Sequence, residues 1–287
     1  MPELPEVETL ARFLADRLDG HRVERCELAS FAALKTVDPP LTSLVGRAFT
    51  GGGRRGKLVC LELEGLWLVA HLARGGWLRW HDTVPATVAR PGTKGPLALR
   101  VGLDDGAGFD ITEAGTEKRL ALWVVRSPEE VAPVARLGID PLDPAFTPDR
   151  LAGILGGANA TLKVALTTQS LIAGVGNAYS DEALHAARLS PFKLTSTLDG
   201  GDVDRLHDAL VGVLTAAVER TEGLPAAELK GDKKRSMAVH GRKGLPCPAC
   251  GDTVREVSYA TRSLQYCPTC QTGGRVLADR RLSRLLK

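Results

Sequence analysis

Four of the six cysteines in this 287-residue chain form two C-x2-C pairs separated by sixteen residues, namely Cys247 with Cys250 and Cys267 with Cys270. Each C-x2-C turn directs two thiolates towards one metal ion, so the spacing predicts a single tetrahedral zinc site. Four protein ligands leave no open position for water, and we therefore expect a structural ion. Cys26 and Cys60 fall outside this pattern and are expected to be small apolar core residues.

Size and charge limit the classes of protein to which the chain can belong. A chain of this length forms one large domain or two to three smaller ones. It contains no run of eighteen apolar residues, and its N-terminus lacks the basic segment followed by an apolar segment that is typical of a signal peptide. We therefore expect a cytoplasmic protein without a membrane span. Residues 225–287 carry 13 Lys and Arg against 5 Asp and Glu. This imbalance favours an anionic partner, nucleic acid first, with a solvated basic surface as the alternative.

Residues 1–125 combine one helix with several strands. Apolar residues at helical spacing predict a helix from Pro5 to about Leu18. Six strand-like pieces follow: "LVCLELEG", "LWLVAHLA", "WLRWHD", "LALRVGLDD", "GFDITEA" and "RLALWVV". Short strands joined by tight turns predict an antiparallel sandwich or barrel.

Residues 126–224 are predicted to be helical. Apolar residues recur every three or four positions in "TPDRLAGILG", "ATLKVALTTQ", "GNAYSDEALHAARL" and "GDVDRLHDALVGVLTAAVERT". The glycines of "SLIAGVGN" precede the third helix and leave backbone N–H groups for an anion at its positive end. A helix, a glycine turn and a second helix are typical of a nucleic-acid docking unit, and a plain helical bundle is the alternative.

Residues 225–287 are predicted to hold a Lys/Arg-rich loop, "LKGDKKRSMAVHGRKG", then the zinc-binding ribbon and a basic tail. The tail's leucines can line one helix face with basic residues nearby; they are Leu277, Leu282, Leu285 and Leu286. That arrangement suits either phosphate binding or packing against the rest of the protein.

Taken in order, five segments resemble the formamidopyrimidine-DNA glycosylase / endonuclease VIII family of base-excision repair enzymes. They are "MPELPEVETL", "GRRGKLV", "HLARGGWL", "LIAGVGNAYSDEAL" and "HGRKGLPCPACG…RSLQYCPTCQ". The resemblance implies an α+β multidomain protein. Its parts would be an N-terminal helix with a two-layered antiparallel β-sandwich, a helix–two-turn–helix domain and a four-cysteine zinc finger. The implied partner is damaged double-stranded DNA, with one structural Zn²⁺, and we expect a monomer associated with the nucleoid.

The resemblance implies that the chemistry lies at the N-terminus. In this family the initiator Met1 is removed and the amine of Pro2 attacks C1′ of the sugar. The resemblance assigns proton transfer at the deoxyribose ring to Glu3. Glu6 lies one helical turn further on and is predicted to be a second acid or a water-orienting group. The alternative for these acids is helix capping alone, since proline and acids both suit a first turn.

The resemblance also implies a set of phosphate contacts. Lys57 would contact the phosphate beside the lesion and assist elimination. Asn177 and Arg262 would bind the phosphates at this same place in the DNA backbone. Three further residues match positions near the DNA backbone: His71, Lys163 and Tyr179. Arg54 and Arg55 are either phosphate contacts or solvated charges.

Three segments depart from the family pattern. The segment between Thr221 and His240 is short and basic where the family has a lesion-capping loop, and the other two concern the space left by a flipped base. Where the family has the methionine of an "HLGMSG"-like loop, "HLARGG" places Arg74. In place of a "DPRRFG"-like loop stands "DITEAGTEKRLALW", where Arg119 is the nearest basic candidate. Arg74 would either stack on bases and bind the orphaned base, or bind a phosphate. The damaged base therefore stays undetermined.

Three hypotheses about the function follow from these sequence features. The first is a bifunctional DNA glycosylase/AP lyase that excises a damaged base through a Schiff base with Pro2 and cuts the strand by β,δ-elimination. The second is a DNA-binding paralogue that recognises damage or structure without excising bases. The third, a zinc-ribbon transcription regulator, accounts for the basic C-terminus but not for the N-terminal motif.

Overall fold

The computed structural model describes residues 1–89, 92, 95–259 and 262–278. The predicted tail leucines Leu282, Leu285 and Leu286 lie outside these residues. The chain divides into two compact units: Met1–Leu137 with Thr221–Leu229, and Gly138–Arg220 with the described part of Lys230–Lys287. The limits 1–125, 126–224 and 225–287 remain predictions from the sequence.

The first unit is an antiparallel β-sandwich preceded by helix α1 (Leu4–Leu18). One sheet has the strand order β1-β6-β7-β5 and the other β2-β3-β4-β8. The strands are β1 (Val23–Leu28), β2 (Phe49–Arg55), β3 (Leu58–Leu63), β4 (Leu66–His71), β5 (Gly76–His81), β6 (Leu97–Leu103), β7 (Gly108–Glu113) and β8 (Ala121–Val125). Side chains from both sheets and from the apolar stripe of α1 form one core, and this confirms the predicted sandwich.

All six predicted strands are present, and the structure adds β1 and β2. The strand β2 has the sequence "FTGGGRR", and three glycines in a row resemble a turn more than a strand. It pairs along its length with β3, so backbone hydrogen bonds form it despite its low strand propensity.

A short segment of the second half of the chain returns to the sandwich. The Oγ1 atoms of Thr9 and Thr221 lie 2.7 Å apart, and Trp77 Nε1 donates to the carbonyl of Ala226 at 3.0 Å. Ala226 and Leu229 are buried in the sandwich core. Residues 221–229 are therefore part of the first unit although they follow the helical segment.

The second unit is helical and contains one small hairpin among its described residues. Apart from the short α2 (Ala132–Ala135) in the first unit, the helices are α3 (Pro148–Gly156), α4 (Leu162–Thr167), α5 (Asn177–Ala186), α6 (Gly200–Thr221), α7 (Leu229–Ser236) and α8 (Pro268–Thr272). The hairpin strands are β9 (Arg255–Ser258) and β10 (Ser263–Tyr266). All four predicted helical segments are confirmed. Each helix among the described residues is too short or too polar to span a lipid bilayer.

The Lys/Arg-rich stretch was expected to be a loop, and this expectation is wrong for its first half, where α7 lies. Lysine and arginine are good helix formers. Asp232 lies in the first turn and three basic residues lie in the last, which suits the helix dipole. Arg220 of α6 fixes the helix by donating to Asp232 Oδ2 and Ser236 Oγ, both at 2.9 Å.

Candidate functional site

The start of α1 gathers two buried carboxyl groups next to Pro2. Glu3 is the N-cap residue, and its backbone N–H donates to Glu6 Oε2 at 2.8 Å in a capping box. Glu3 and Glu6 are only 3% and 2% exposed, and Pro2 is buried as well. Acids that only cap a helix can stay exposed, and carboxylates strongly favour water over the protein interior. Capping alone therefore does not explain why these two carboxyl groups are buried. Carboxyl groups are side chains that can both donate and accept a proton, and two of them are buried at this helix start.

Arg54 belongs to the ion pairs that surround this helix. Its Nε lies 2.7 Å from Glu8 Oε2, and Arg12 Nε lies 2.8 Å from the other oxygen of Glu8. The Arg54 side chain is 7% exposed, so its description as a solvated charge is wrong. The Arg55 side chain is half exposed and faces Glu129.

Lys57 and His71 meet at one end of the second sheet. Lys57 lies in the turn between β2 and β3 and is 8% exposed. His71 ends β4 and pairs with Leu58, the residue after Lys57. Burial, reinforced by the positive charge of Lys57, lowers the pKa of His71 below its ordinary value of 6.5. The imidazole of His71 therefore lies within electrostatic reach of the largely buried ammonium group of Lys57.

Arg74 is exposed at the tip of a tight turn between β4 and β5. Ala73, just before it, has a φ of +50°, a left-handed conformation that side chains with a Cβ rarely adopt. The turn is closed by a 2.8 Å hydrogen bond from Gly76 N to the carbonyl of Leu72. A Cβ at Gly75 would lie 2.1 Å from the carbonyl oxygen of Ala114. The backbone that carries Arg74 is thus tightly packed.

The loop with Arg119 adjoins this turn. The N–H of Ala114 donates to the carbonyl of Gly75 at 3.0 Å. Buried Glu113 accepts hydrogen bonds from the backbone N–H groups of Arg119 at 2.6 Å and Leu120 at 2.8 Å. The structure therefore brings together two of the segments that depart from the family pattern.

In the second unit, the start of α5 and the β9–β10 hairpin bring two predicted phosphate-binding residues together. Asn177 Nδ2 donates to the carbonyl of Ser263 at 2.7 Å. Ser263 follows Arg262, which is exposed and whose carbonyl accepts a 2.7 Å hydrogen bond from Tyr259 N. Asn177 and the backbone next to Arg262 are therefore fixed to each other.

Lys163 and Tyr179 lie beside α5, in contact with other protein groups. Lys163 is 7% exposed, and its Nζ donates to Asn177 O, Ser180 Oγ and Asp181 Oδ1 at 2.7, 2.8 and 2.5 Å. This ammonium group supports the start of α5 from within the unit. Tyr179 is buried, and Lys233 Nζ lies 4.6 Å from the centre of its ring. Their predicted contacts with DNA stay predictions.

The four patterned cysteines converge as predicted. Their Sγ atoms all lie within 4.8 Å of one another, with Cys247 and Cys270 at 3.9 Å and Cys250 and Cys267 at 3.4 Å. Thiolates bound tetrahedrally to zinc at their usual bond length are about 3.8 Å apart, so the set fits the ion. Cys60 is buried, which raises the pKa of its thiol to about 11. It is therefore inert, as expected of a core residue.

A group of polar residues that the sequence did not predict joins α5 to the zinc-binding segment. Glu182 accepts hydrogen bonds from three consecutive backbone N–H groups, Ala238 to His240, at 2.6 to 2.9 Å. Asp181 Oδ2 lies 2.7 Å from His240 Nδ1, and His185 Nε2 lies 3.2 Å from Cys247 Sγ. The available signal was the four-residue spacing of polar residues 177, 181 and 185, which places them on one side of α5.

Comparison with known proteins agrees with this architecture. The formamidopyrimidine-DNA glycosylase N-terminal domain model matches residues 1–113, the corresponding H2TH domain model residues 137–226, and a zinc finger found in FPG and IleRS residues 244–273. A formamidopyrimidine-DNA glycosylase of Symbiobacterium thermophilum is 38% identical over 94% of this chain and 89% of its own length.

Solved structures show the same likeness. The MutM (Fpg) protein from Thermus thermophilus has a TM-score of 0.79 and 34% identity, over 94% of this chain and 98% of its own. Lactococcus lactis Fpg, in a complex with DNA containing an abasic site, has a TM-score of 0.82 and 26% identity over 94% and 99%. With a helix-led sandwich, an H2TH domain and a four-cysteine site for one structural zinc ion, the chain belongs to the formamidopyrimidine-DNA glycosylase family of DNA base-excision repair.

Proposed function

We propose that the protein is a bifunctional DNA glycosylase/AP lyase that acts on damaged double-stranded DNA through the amine of Pro2. The observation that carries the proposal is the pair of buried carboxyl groups, Glu3 and Glu6, at the helix start next to that residue. Membership of the family and the solved complex of Lactococcus lactis Fpg with abasic-site DNA support this substrate class.

The chemistry suits an N-terminal amine that is exposed once Met1 is removed. An average α-amino group titrates near ~8, so roughly a quarter of it is neutral at pH 7.5, against about one part in a thousand for an ordinary lysine. The secondary amine of proline is more basic than this average, so burial and the positive end of α1 would have to favour its neutral form. The amine of Pro2 forms a bond to C1′ while the C1′–base bond breaks. Because proline is a secondary amine, the ring-opened product is a charged iminium ion.

Strand cleavage follows from that iminium ion. Loss of a C2′ proton sends an electron pair into the iminium group and breaks the C3′–O bond, and a second elimination breaks the C5′–O bond. Hydrolysis then returns the free amine. Glu3, with Glu6 behind it, would supply and remove the protons. Lys57 would stabilise the negative charge of the leaving phosphate group through its ammonium group.

The second unit would hold the DNA backbone. We assign phosphate contacts to Asn177 and Arg262, which adjoin the same hairpin turn, with His71 of the first unit, Lys163 and Tyr179 as further residues near the backbone. Phosphate contacts of this kind supply much of the affinity of a DNA-binding protein. Arg74, assisted by Arg119 on the adjoining loop, would enter the space that the flipped base leaves.

Borohydride trapping on a duplex with one abasic site tests the proposal. The wild-type protein should form a covalent adduct that maps to the peptide beginning at Pro2. Glu3→Gln should bind the duplex and trap less, because proton transfer is impaired. Pro2→Gly should trap less because a primary amine replaces the secondary one.

Tight binding of the same duplex without an adduct would contradict the lyase proposal and favour the paralogue that only recognises damage. An adduct at an internal lysine would also contradict the assignment of Pro2. The mass of the intact protein before the reaction shows whether Met1 has been removed, so failed processing is distinguished from absent chemistry.

A further inference from the structure

One face of α5 is bonded throughout to the zinc-binding segment. Asn177, Asp181 and His185 are spaced four residues apart, which places them on the same side of a helix. Asn177 bonds to Ser263, Asp181 accepts from the backbone N–H of Gln265 at 3.2 Å, and His185 contacts Cys247. The last of these contacts involves a zinc ligand itself.

The contact between His185 and Cys247 lies in apolar surroundings with little exposure to solvent. His185 is 8% exposed and Cys247 is 2% exposed, and the sulfur packs in a cluster with the fully buried Val239 and Val254. Zinc bound to four thiolates carries two net negative charges. Such charge in an apolar setting requires hydrogen-bond donors, and the ring nitrogen Nε2 of His185 lies 3.2 Å from this sulfur.

We propose that His185 is an outer-shell partner of the zinc ion. Its Nε2–H donates to the Cys247 thiolate, fixes the orientation of that ligand and reduces the negative charge on the sulfur. The same hydrogen bond ties the metal to α5, the helix that begins at Asn177. His185 is therefore a positioning residue for zinc, and this role rests on the four-cysteine site and not on the proposed lyase chemistry.

Two variants of similar length and helix propensity separate the hydrogen bond from packing. His185→Gln keeps an N–H donor at a similar reach, whereas His185→Met removes it. His207→Met is the matched control, because His207 lies in the same unit but bonds to Phe146 and Asp208. Far-ultraviolet circular dichroism and thermal unfolding of the zinc-loaded proteins establish that the variants are folded.

The first readout is the rate at which excess chelator removes zinc from the full-length protein. His185→Met should release zinc about 10–100-fold faster than the wild type, the usual effect of losing an outer-shell partner. His185→Gln and His207→Met should remain close to the wild-type rate. Equal rates in His185→Met and the wild type, or equally fast release from the Gln and Met variants, would overturn the proposal.

The second readout is the spectrum of the cobalt-substituted protein. Loss of the donor should shift the thiolate-to-cobalt charge-transfer band to longer wavelength in His185→Met but not in His185→Gln. A wild-type spectrum of three thiolates and one imidazole, converted to four thiolates in His185→Met, would make His185 a direct ligand. That result would also overturn the proposed outer-shell role.

Discussion

At the scale of single residues, burial gives His71 a pH-dependent contribution to stability. Its pKa is lowered in the folded protein by burial and by Lys57, so the unfolded chain binds the proton more readily. The free energy of unfolding should therefore fall as the pH drops from about 6.5 towards the lowered pKa, and level off below it. His71→Gln should flatten the dependence over this window.

An imidazole titration by NMR measures the same effect directly. Lys57→Met should raise the pKa of His71 part of the way back, because burial remains while the neighbouring charge is lost. A His71 pKa at or above 6.5 in the wild type would contradict this account.

Arg74 is the residue that we propose enters the space left by the flipped base, and this proposal has a consequence for opposite-base preference. If its guanidinium group hydrogen-bonds the orphaned base, Arg74→Ala should reduce discrimination among the four opposite bases by roughly 1–3 kcal/mol. Arg74→Met should retain affinity for an abasic duplex without that discrimination, since it fills space but donates no hydrogen bond. Binding titrations with each opposite base measure both effects, and an equal loss for all four bases would indicate a phosphate contact only.

At the scale of elements, the packed turn before β5 determines where Arg74 lies. Gly75→Ala would place a Cβ 2.1 Å from the carbonyl oxygen of Ala114, so the two adjoining loops must separate. We expect a loss of roughly 1–3 kcal/mol in the free energy of unfolding. Denaturant unfolding measures this loss, and weaker binding to an abasic duplex should accompany it.

Gly53→Ala is the matched control, because a Cβ at that position in β2 meets nothing within 4 Å. The two substitutions add the same methyl group to the same unit. Equal stability of the two variants would show that the turn adjusts freely, contrary to the packing described for Gly75.

Elements also differ in how well local sequence predicts them. The helix α1 was predicted within one residue because Val7, Leu10, Leu14 and Leu18 repeat at helical spacing and are all buried. The strand β2 was missed because its glycines carry no strand propensity, and its existence depends on pairing with β3. The helix α7 was taken for a loop because its charged sequence lacks an apolar stripe, and its anchor is Arg220 of another helix.

At the scale of the whole molecule, the zinc site lies entirely within the second unit. Chelating zinc should abolish DNA binding, since the ion organises the hairpin that carries Arg262. The first unit should stay folded, because the described residues that form its core all fall within 1–137 and 221–229.

The chain offers a built-in probe for this prediction. All four tryptophans lie in the first unit and all three tyrosines lie in the second. Tryptophan fluorescence should therefore remain native after chelation while tyrosine signals change and DNA affinity falls. Unchanged affinity of the zinc-free protein, or loss of native tryptophan fluorescence, would contradict the prediction.

The sequence by itself determined the features that depend on short spacing: the zinc ligands, α1 with its acidic first turn, and the strands and helices that carry an apolar repeat. A C-x2-C turn and a helical repeat depend on residues close together in the chain, so both can be predicted without knowledge of the fold. Only the tertiary structure decided that Glu3 and Glu6 are buried, that Lys163 pairs with Asp181 within the second unit, and that His185 contacts Cys247. The physical reason is that burial and most of these pairings depend on contacts between segments far apart in the chain, 62 positions in the case of His185 and Cys247.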